Sequence, residues 1–144
     1  MKSLSSQQIF NFLNQVYPKG SPWTQKMIAQ DLEREDIHFY VLREGADLVA
    51  LCVFQDLTGE REILQVGVLP VYRGRGLARR LLDSLPKGQP YFLEVRESNQ
   101  AARRLYESVG FVEVGRRPAY YQNPPEDALV MKGEFHERND YSGV

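Results

Sequence analysis

From Ile63 the chain runs through an apolar stretch, Ile63-Leu64-Gln65-Val66-Gly67-Val68-Leu69, and stops at Pro70. A short turn, Arg73-Gly74-Arg75-Gly76, leads directly into the amphipathic pattern Leu77, Leu81, Leu82 and Leu85. The first stretch reads as a strand and the last as a helix over 75–85. A strand that feeds a helix and then a further strand makes a parallel crossover, which is right-handed and needs a sheet to lie on. This unit therefore excludes all-helical and purely antiparallel folds. It also forms an anion site. Backbone N–H groups converge at such a turn, the helix dipole adds partial positive charge, and glycine lets a phosphate approach the backbone closely. The unit predicts a phosphorylated ligand.

The letters of the turn narrow that ligand. No lysine or hydroxyl residue follows Gly76, so the triphosphate grip and magnesium ligand of Gly-x-x-x-x-Gly-Lys-Ser/Thr are missing. A dinucleotide fingerprint beginning at Gly74 would need its third glycine at Arg79, where helix and strand must pack closely. What remains is Arg73-x-x-Gly76-x-Ala78. An ordinary strand–turn–helix with surface arginines fits the same letters, and Arg79 and Arg80 equally suit a solvated helix face.

The rest of the chain supplies the sheet. Ser5 or Ser6 caps a helix through Ile9, Phe10, Leu13 and Val16, which ends at Pro18-Lys-Gly-Ser-Pro22. Thr24 caps a second, with Trp23 placed to staple it. Strands follow over 37–43, 48–56 and 62–69, separated by tight turns. After the 75–85 helix come a strand over 91–95, a helix opened by Ser98 and closed by Gly110, and strands over 111–117 and 127–134. This order predicts an α+β architecture: one mixed, twisted sheet flanked by helices. Its 144 residues suit a single domain over 1–135, and residues 136–144 show no periodicity and read as a flexible tail. Eighteen basic against nineteen acidic residues give no drive toward nucleic acid or a membrane, and no apolar run is long enough to span a bilayer. The single Cys52 lies inside an apolar run and reads as a buried thiol in a reducing, cytoplasmic protein. His38 and His136 are far apart and have no cysteine partners, so no metal site is expected.

A second cluster adds chemistry. Leu93-Glu94-Val95-Arg96 leads through Ser98-Asn99 into a helix ending Leu105-Tyr106-Glu107-Ser108-Val109-Gly110-Phe111. Asn99 and Tyr106 are seven positions apart, two helical turns, and share a face. Together with Arg73-x-x-Gly76-x-Ala78, this cluster resembles the two coenzyme A motifs of the GNAT acetyltransferases. Met1 to Leu4 leave little room for the short strand with which that family usually opens. The resemblance implies an acetyl-CoA-dependent N-acetyltransferase working by direct transfer to a primary amine. Val66, Gly67 and Val68 would pair with the pantetheine arm, and a backbone N–H there would meet the thioester carbonyl. Arg73, Gly74, Arg75, Gly76, Leu77, Ala78 and Arg79 would hold the pyrophosphate, with Arg73 either bracing the loop or meeting phosphate. Asn99 would touch the cofactor near its reactive end.

Catalytic roles follow from what acetyl transfer needs. An α-amino group has a pKa of roughly 8 and must lose one proton, so a single carboxylate can serve as base. Glu94 is the residue that the resemblance places there; its alternative is a surface carboxylate paired with Arg96. Tyr106 can protonate a departing thiolate, and its alternative is an aromatic at the core edge. Pro22-Trp23-Thr24, Arg116-Arg117, Tyr120-Tyr121 and Glu126-Asp127-Ala128 extend the resemblance to the branch that acetylates the N-terminal alanine of a small-subunit ribosomal protein. The added Pro118-Ala119 and the compressed 82–91 segment depart from that branch. Trp23, Tyr120 and Tyr121 are candidates for lining the acceptor groove, and Glu35 and Asp36 for attracting a basic peptide. A small-molecule amine acceptor and a non-catalytic acetyl-CoA-binding module remain the alternatives.

Overall fold

Ser5 opens the first helix through a reciprocal cap: it accepts the Gln8 N–H at 3.1 Å, and the Gln8 side chain accepts the Ser5 N–H at 3.0 Å. The helix that follows is α1 (Ser6–Val16). In α2 (Gln25–Leu32) the Thr24 hydroxyl accepts the Met27 N–H, while Trp23 and Ile28 join one apolar cluster as a staple does. The computed structural model describes residues 4–134, so the expected tail at 136–144 lies outside the described residues, as do all of Met1 to Leu4 except Leu4.

One six-stranded sheet organises these elements, in the order β1-β2-β3-β4-β6-β5. Strands β1 (Ile37–Glu44), β2 (Asp47–Leu57) and β3 (Glu60–Val68) form an antiparallel meander. Strand β4 (Tyr91–Arg96) is parallel to β3, and β6 (Glu126–Gly133) runs antiparallel between β4 and β5 (Val112–Tyr121). The β3–β4 ladder holds only Arg61↔Tyr91 and Glu62↔Phe92. Above it the two strands part.

Besides shifts of one or two residues at strand ends, three boundaries differ from the sequence reading. Helix α3 spans Leu77–Asp83, shorter than 75–85. Gly76 caps it at φ 75°, which no helical residue adopts, and Pro86, which disfavours a helical residue before it, follows soon after the helix ends. Helix α4 (Gln100–Ser108) is capped by Asn99 and not by Ser98: Asn99 Oδ1 accepts the Ala102 N–H at 3.2 Å, while the Ser98 N–H donates to Glu126 Oε2 at 2.5 Å. Strand β5 continues to Tyr121 past an irregularity, since the ladder skips from Arg117↔Ala128 to Tyr121↔Glu126. Pro118-Ala119 forms this bulge, with Ala119 at φ 52° and its N–H on Asp127 Oδ1 at 2.9 Å.

Apolar side chains pack on both faces of the sheet. Phe54, Leu82, Tyr91, Phe111 and Met131 belong to the cluster that includes α3 and α4, whereas Ile9, Leu13, Ile28, Leu51 and Val53 join α1 and α2 to the other face. Cys52 is fully buried in β2, and desolvation pushes its thiol up to about 12, so it serves as packing and not as a nucleophile. No described helix is long and apolar enough to cross a membrane. Strand β6 closes on Phe111 so tightly that a Cβ on Gly133 would lie 2.9 Å from Phe111 Cδ1 and 3.2 Å from its Cα. Gly133→Ala should therefore cost about 1–3 kcal/mol in urea denaturation, because backbone and not only a flexible side chain must move.

Candidate active site

Because β3 and β4 part after two residue pairs, the centre of the sheet carries a gap. Val66, Gly67 and Val68 pair with β2 on one edge and present their other edge to that gap. A cleft of about 460 Å³ opens there. Val66, Gly67, Val68, Arg73, Gly74, Gly76, Leu77, Ala78, Arg79 and Asn99 all line it, joined by Val16, Tyr17 and Tyr106. Gly74 (φ 82°) and Gly76 (φ 75°) both need glycine's conformational range to turn the chain into α3. Gly67 has a different requirement. A Cβ there would meet Val16 Cγ1 at 3.2 Å, so glycine lets the end of α1 close one side of the cleft.

Arg75 is the expected residue that this cleft leaves out. Its guanidinium lies over the Tyr72 ring at 4.9 Å and reaches the Val71 carbonyl at 3.4 Å. Arg73 braces: its Nε donates to the Val68 carbonyl and its Nη2 to the Val16 carbonyl, each at 3.2 Å. The cation thereby ties the end of β3 to the last turn of α1, where helix carbonyls lack partners.

A second recess, about 360 Å³, continues from the first. Leu64, Gln65, Leu93, Glu94, Arg96 and Tyr121 line it, and it shares Tyr17, Val66, Asn99, Ala102 and Tyr106 with the first cleft. Strand alternation explains how two chemical groups meet there. Tyr91, Leu93 and Val95 pack with α3 and α4, so Glu94 points to the other face, while Tyr106 reaches the gap from α4. Tyr106 is 9% exposed and packs on Phe111 with ring centroids 5.8 Å apart. Burial holds its phenol far above the usual range, so it keeps its proton.

Glu94 is ion-paired with Arg117 Nε, not with Arg96 as the sequence alternative had it. Arg96 instead organises the loop after β5. It lies over Tyr121 at 4.4 Å, pairs with Glu126 at 3.2 Å, and donates to the carbonyls of Gln122 and Pro124 at 3.3 Å. Tyr120 also faces Glu94, and contact with that carboxylate raises its phenol pKa. Glu62, on the same side of the sheet, is raised by burial first and by Glu94 second. Three expected acceptor residues are elsewhere. Trp23 packs with the α1–α2 cluster and lines neither recess. Asp36 pairs with Arg34 and Gln55 at the end of the sheet where β3 begins, and its neighbour Glu35 is likewise away from the gap.

Sequence reasoning missed Tyr17 and Gln65, which stand where the recesses meet. The Tyr17 hydroxyl donates to Gln65 Oε1, and burial raises the Tyr17 pKa. One signal was available: Gln65 is the lone amide inside the apolar run Ile63–Leu69.

The exposed inner edge of β3 and the glycine turn fit an extended, pyrophosphate-bearing arm. The comparison with known families agrees: the model for the acetyltransferase (GNAT) family matches residues 6–111. The chain is a GNAT acetyltransferase. As such it is an enzyme that takes its acetyl group from acetyl-CoA. This GNAT acetyltransferase is 37% identical over 125 residues to N-alpha-acetyltransferase RimI of Mycobacterium tuberculosis, covering 82% of this chain and 79% of that one. It is 35% identical over 118 residues to the [ribosomal protein bS18]-alanine N-acetyltransferase of Escherichia coli (76% and 79% covered). The crystal structure of the ribosomal-protein-S18-alanine N-acetyltransferase from Escherichia coli superposes with a TM-score of 0.81 at 28% identity, covering 99% of this chain and 96% of that one.

Proposed function

We propose that this GNAT acetyltransferase acetylates the N-terminal alanine of a small-subunit ribosomal protein in the cytoplasm. The observation that carries the acceptor is its 35–37% identity to RimI and the bS18-alanine enzyme over most of the chain. The meeting of the two recesses at Tyr17, Val66, Asn99 and Tyr106 supports the roles given to the residues.

Acetyl-CoA bound in the larger cleft would supply the acetyl group as a thioester. Val66, Gly67 and Val68 align the pantetheine arm along the free edge of β3, and a backbone N–H there stabilises charge developing on the carbonyl oxygen. Gly74, Gly76, Leu77, Ala78 and Arg79 hold the pyrophosphate, while Arg73 fixes the loop against α1. The acceptor enters beside Tyr120 and Tyr121. Glu94 takes one proton from its ammonium, leaving the nitrogen lone pair free to form the new C–N bond. As the C–S bond breaks, Tyr106 gives its hydroxyl proton to sulfur and recovers one from the acylated nitrogen. The net release is one proton, held on Glu94.

The test is mass spectrometry of ribosomal-protein N-termini from cells with and without the enzyme, backed by purified enzyme acting on alanine-initiated peptides, polyamines and aminoglycosides. Loss of acetylation at one alanine terminus is expected. Transfer to the small amines alone would overturn the proposed acceptor.

A further inference from the structure

The catalytic assignment leaves Arg117 unexplained. Glu94 has a side chain only 12% exposed, and its Oε2 is shut off from solvent. The cation paired with it is 58% exposed and lies over the exposed Tyr120 ring at 5.6 Å. The pair is therefore lopsided. The carboxylate is fixed in strand β4, whereas Arg117 reaches it from outside through a long side chain on the bulged edge strand β5. No other cation pairs with Glu94 among the described residues: Arg96, which lines the same recess, is engaged by Glu126 and by the Gln122 and Pro124 carbonyls, and the other neighbours, Glu62, Tyr120 and Tyr121, bring no positive charge. A buried carboxylate needs a counter-charge, and one whose partner leaves must gain another or take up a proton.

We infer that Arg117 occupies the seat of the acceptor's ammonium group, and that acceptor binding is an exchange of one cation for the other on Glu94. This rests on the reading of the 360 Å³ recess as the acceptor site. The acceptor then arrives as its protonated ammonium, because only a cation replaces the guanidinium without stranding the carboxylate. Proton transfer to Glu94 follows once Arg117 has swung away. An acceptor lacking a positive head group cannot displace it, so Arg117 acts as a selectivity residue for cationic amines. A guanidinium cannot be acetylated in the acceptor's place, since it stays protonated throughout the accessible pH range.

Removing the competitor should tighten acceptor binding. Arg117→Ala is expected to lower KM for an alanine-initiated hexapeptide amide about two- to fivefold, a range suited to a half-exposed ion pair, while Arg117→Lys keeps the wild-type KM. Millimolar methylguanidinium should restore the higher KM to the alanine variant by refilling the seat, with little effect on wild type. An unchanged or raised KM for Arg117→Ala, or a methylguanidinium response equal in both proteins, would overturn the exchange and make Arg117 a prop for the loop. The base assignment is read separately, from kcat of Glu94→Gln. That variant keeps the side-chain volume but removes the charge, so in its background Arg117→Ala should no longer change KM.

Discussion

Glu94→Gln is expected to lower kcat/KM for the peptide acceptor by about 10²–10⁴ at neutral pH, the usual contribution of a positioned general base. The amide keeps the shape of the side chain at the gap, where Glu94 and Tyr106 line one recess from opposite faces of the sheet. Acetyl-CoA affinity should stay unchanged by calorimetry, since Glu94 does not line the larger cleft proposed to hold it. Raising the pH should recover part of the lost rate, because the acceptor amine, with its pKa of roughly 8, then arrives deprotonated. A variant as active as wild type at pH 7 would remove Glu94 from the proton path.

The largest loss of stability is expected at Phe111. The ring is 1% exposed, packs on Tyr106, and meets Gly133 of β6 so closely that even a single added carbon does not fit between them. Its N–H donates to the Tyr106 carbonyl at 2.9 Å, just past the end of α4 at Ser108. Phe111→Ala should cost about 3–5 kcal/mol by urea denaturation, lowering Tm by on the order of 10 °C. Because the cavity opens directly beside Tyr106, kcat should fall as well, even at temperatures where the variant remains folded. Stability loss with full turnover would show that Phe111 supports the fold without setting the position of the phenol.

Much of this arrangement was legible before any coordinates. The strand–turn–helix at Ile63–Leu85 demanded a parallel crossover, and β3, α3 and β4 supply it. Patterns of three and four residues placed α1 and α4, and glycine and proline marked the breaks. The misplaced details have local causes. Ser98 and Asn99 are both good caps, and the choice fell to Asn99 because Glu126, 28 positions away, engages the Ser98 N–H. Arg75 stands inside the loop motif by spacing, yet stacks on Tyr72, a contact no motif encodes. The partner of Glu94 depended on β6 lying between β4 and β5, which brings Arg117 within reach and sends Arg96 toward Glu126. Tyr17 and Gln65 were obscured for the same reason: 48 positions separate them, and only the packing of α1 against β3 makes them neighbours.

The two-pair ladder between β3 and β4 has a mechanical consequence. Three strands lie on each side of it, and their ladder hydrogen bonds cross only at the Arg61–Phe92 end. A sheet fastened at one end behaves like tongs. Small rotations about the closed end become the widest displacements at Val68 and Arg96, where few backbone bonds resist them. The spacing of the jaws is then set by whatever lies between them, and a bound arm that hydrogen-bonds along β3 works as a spacer as well as a reactant.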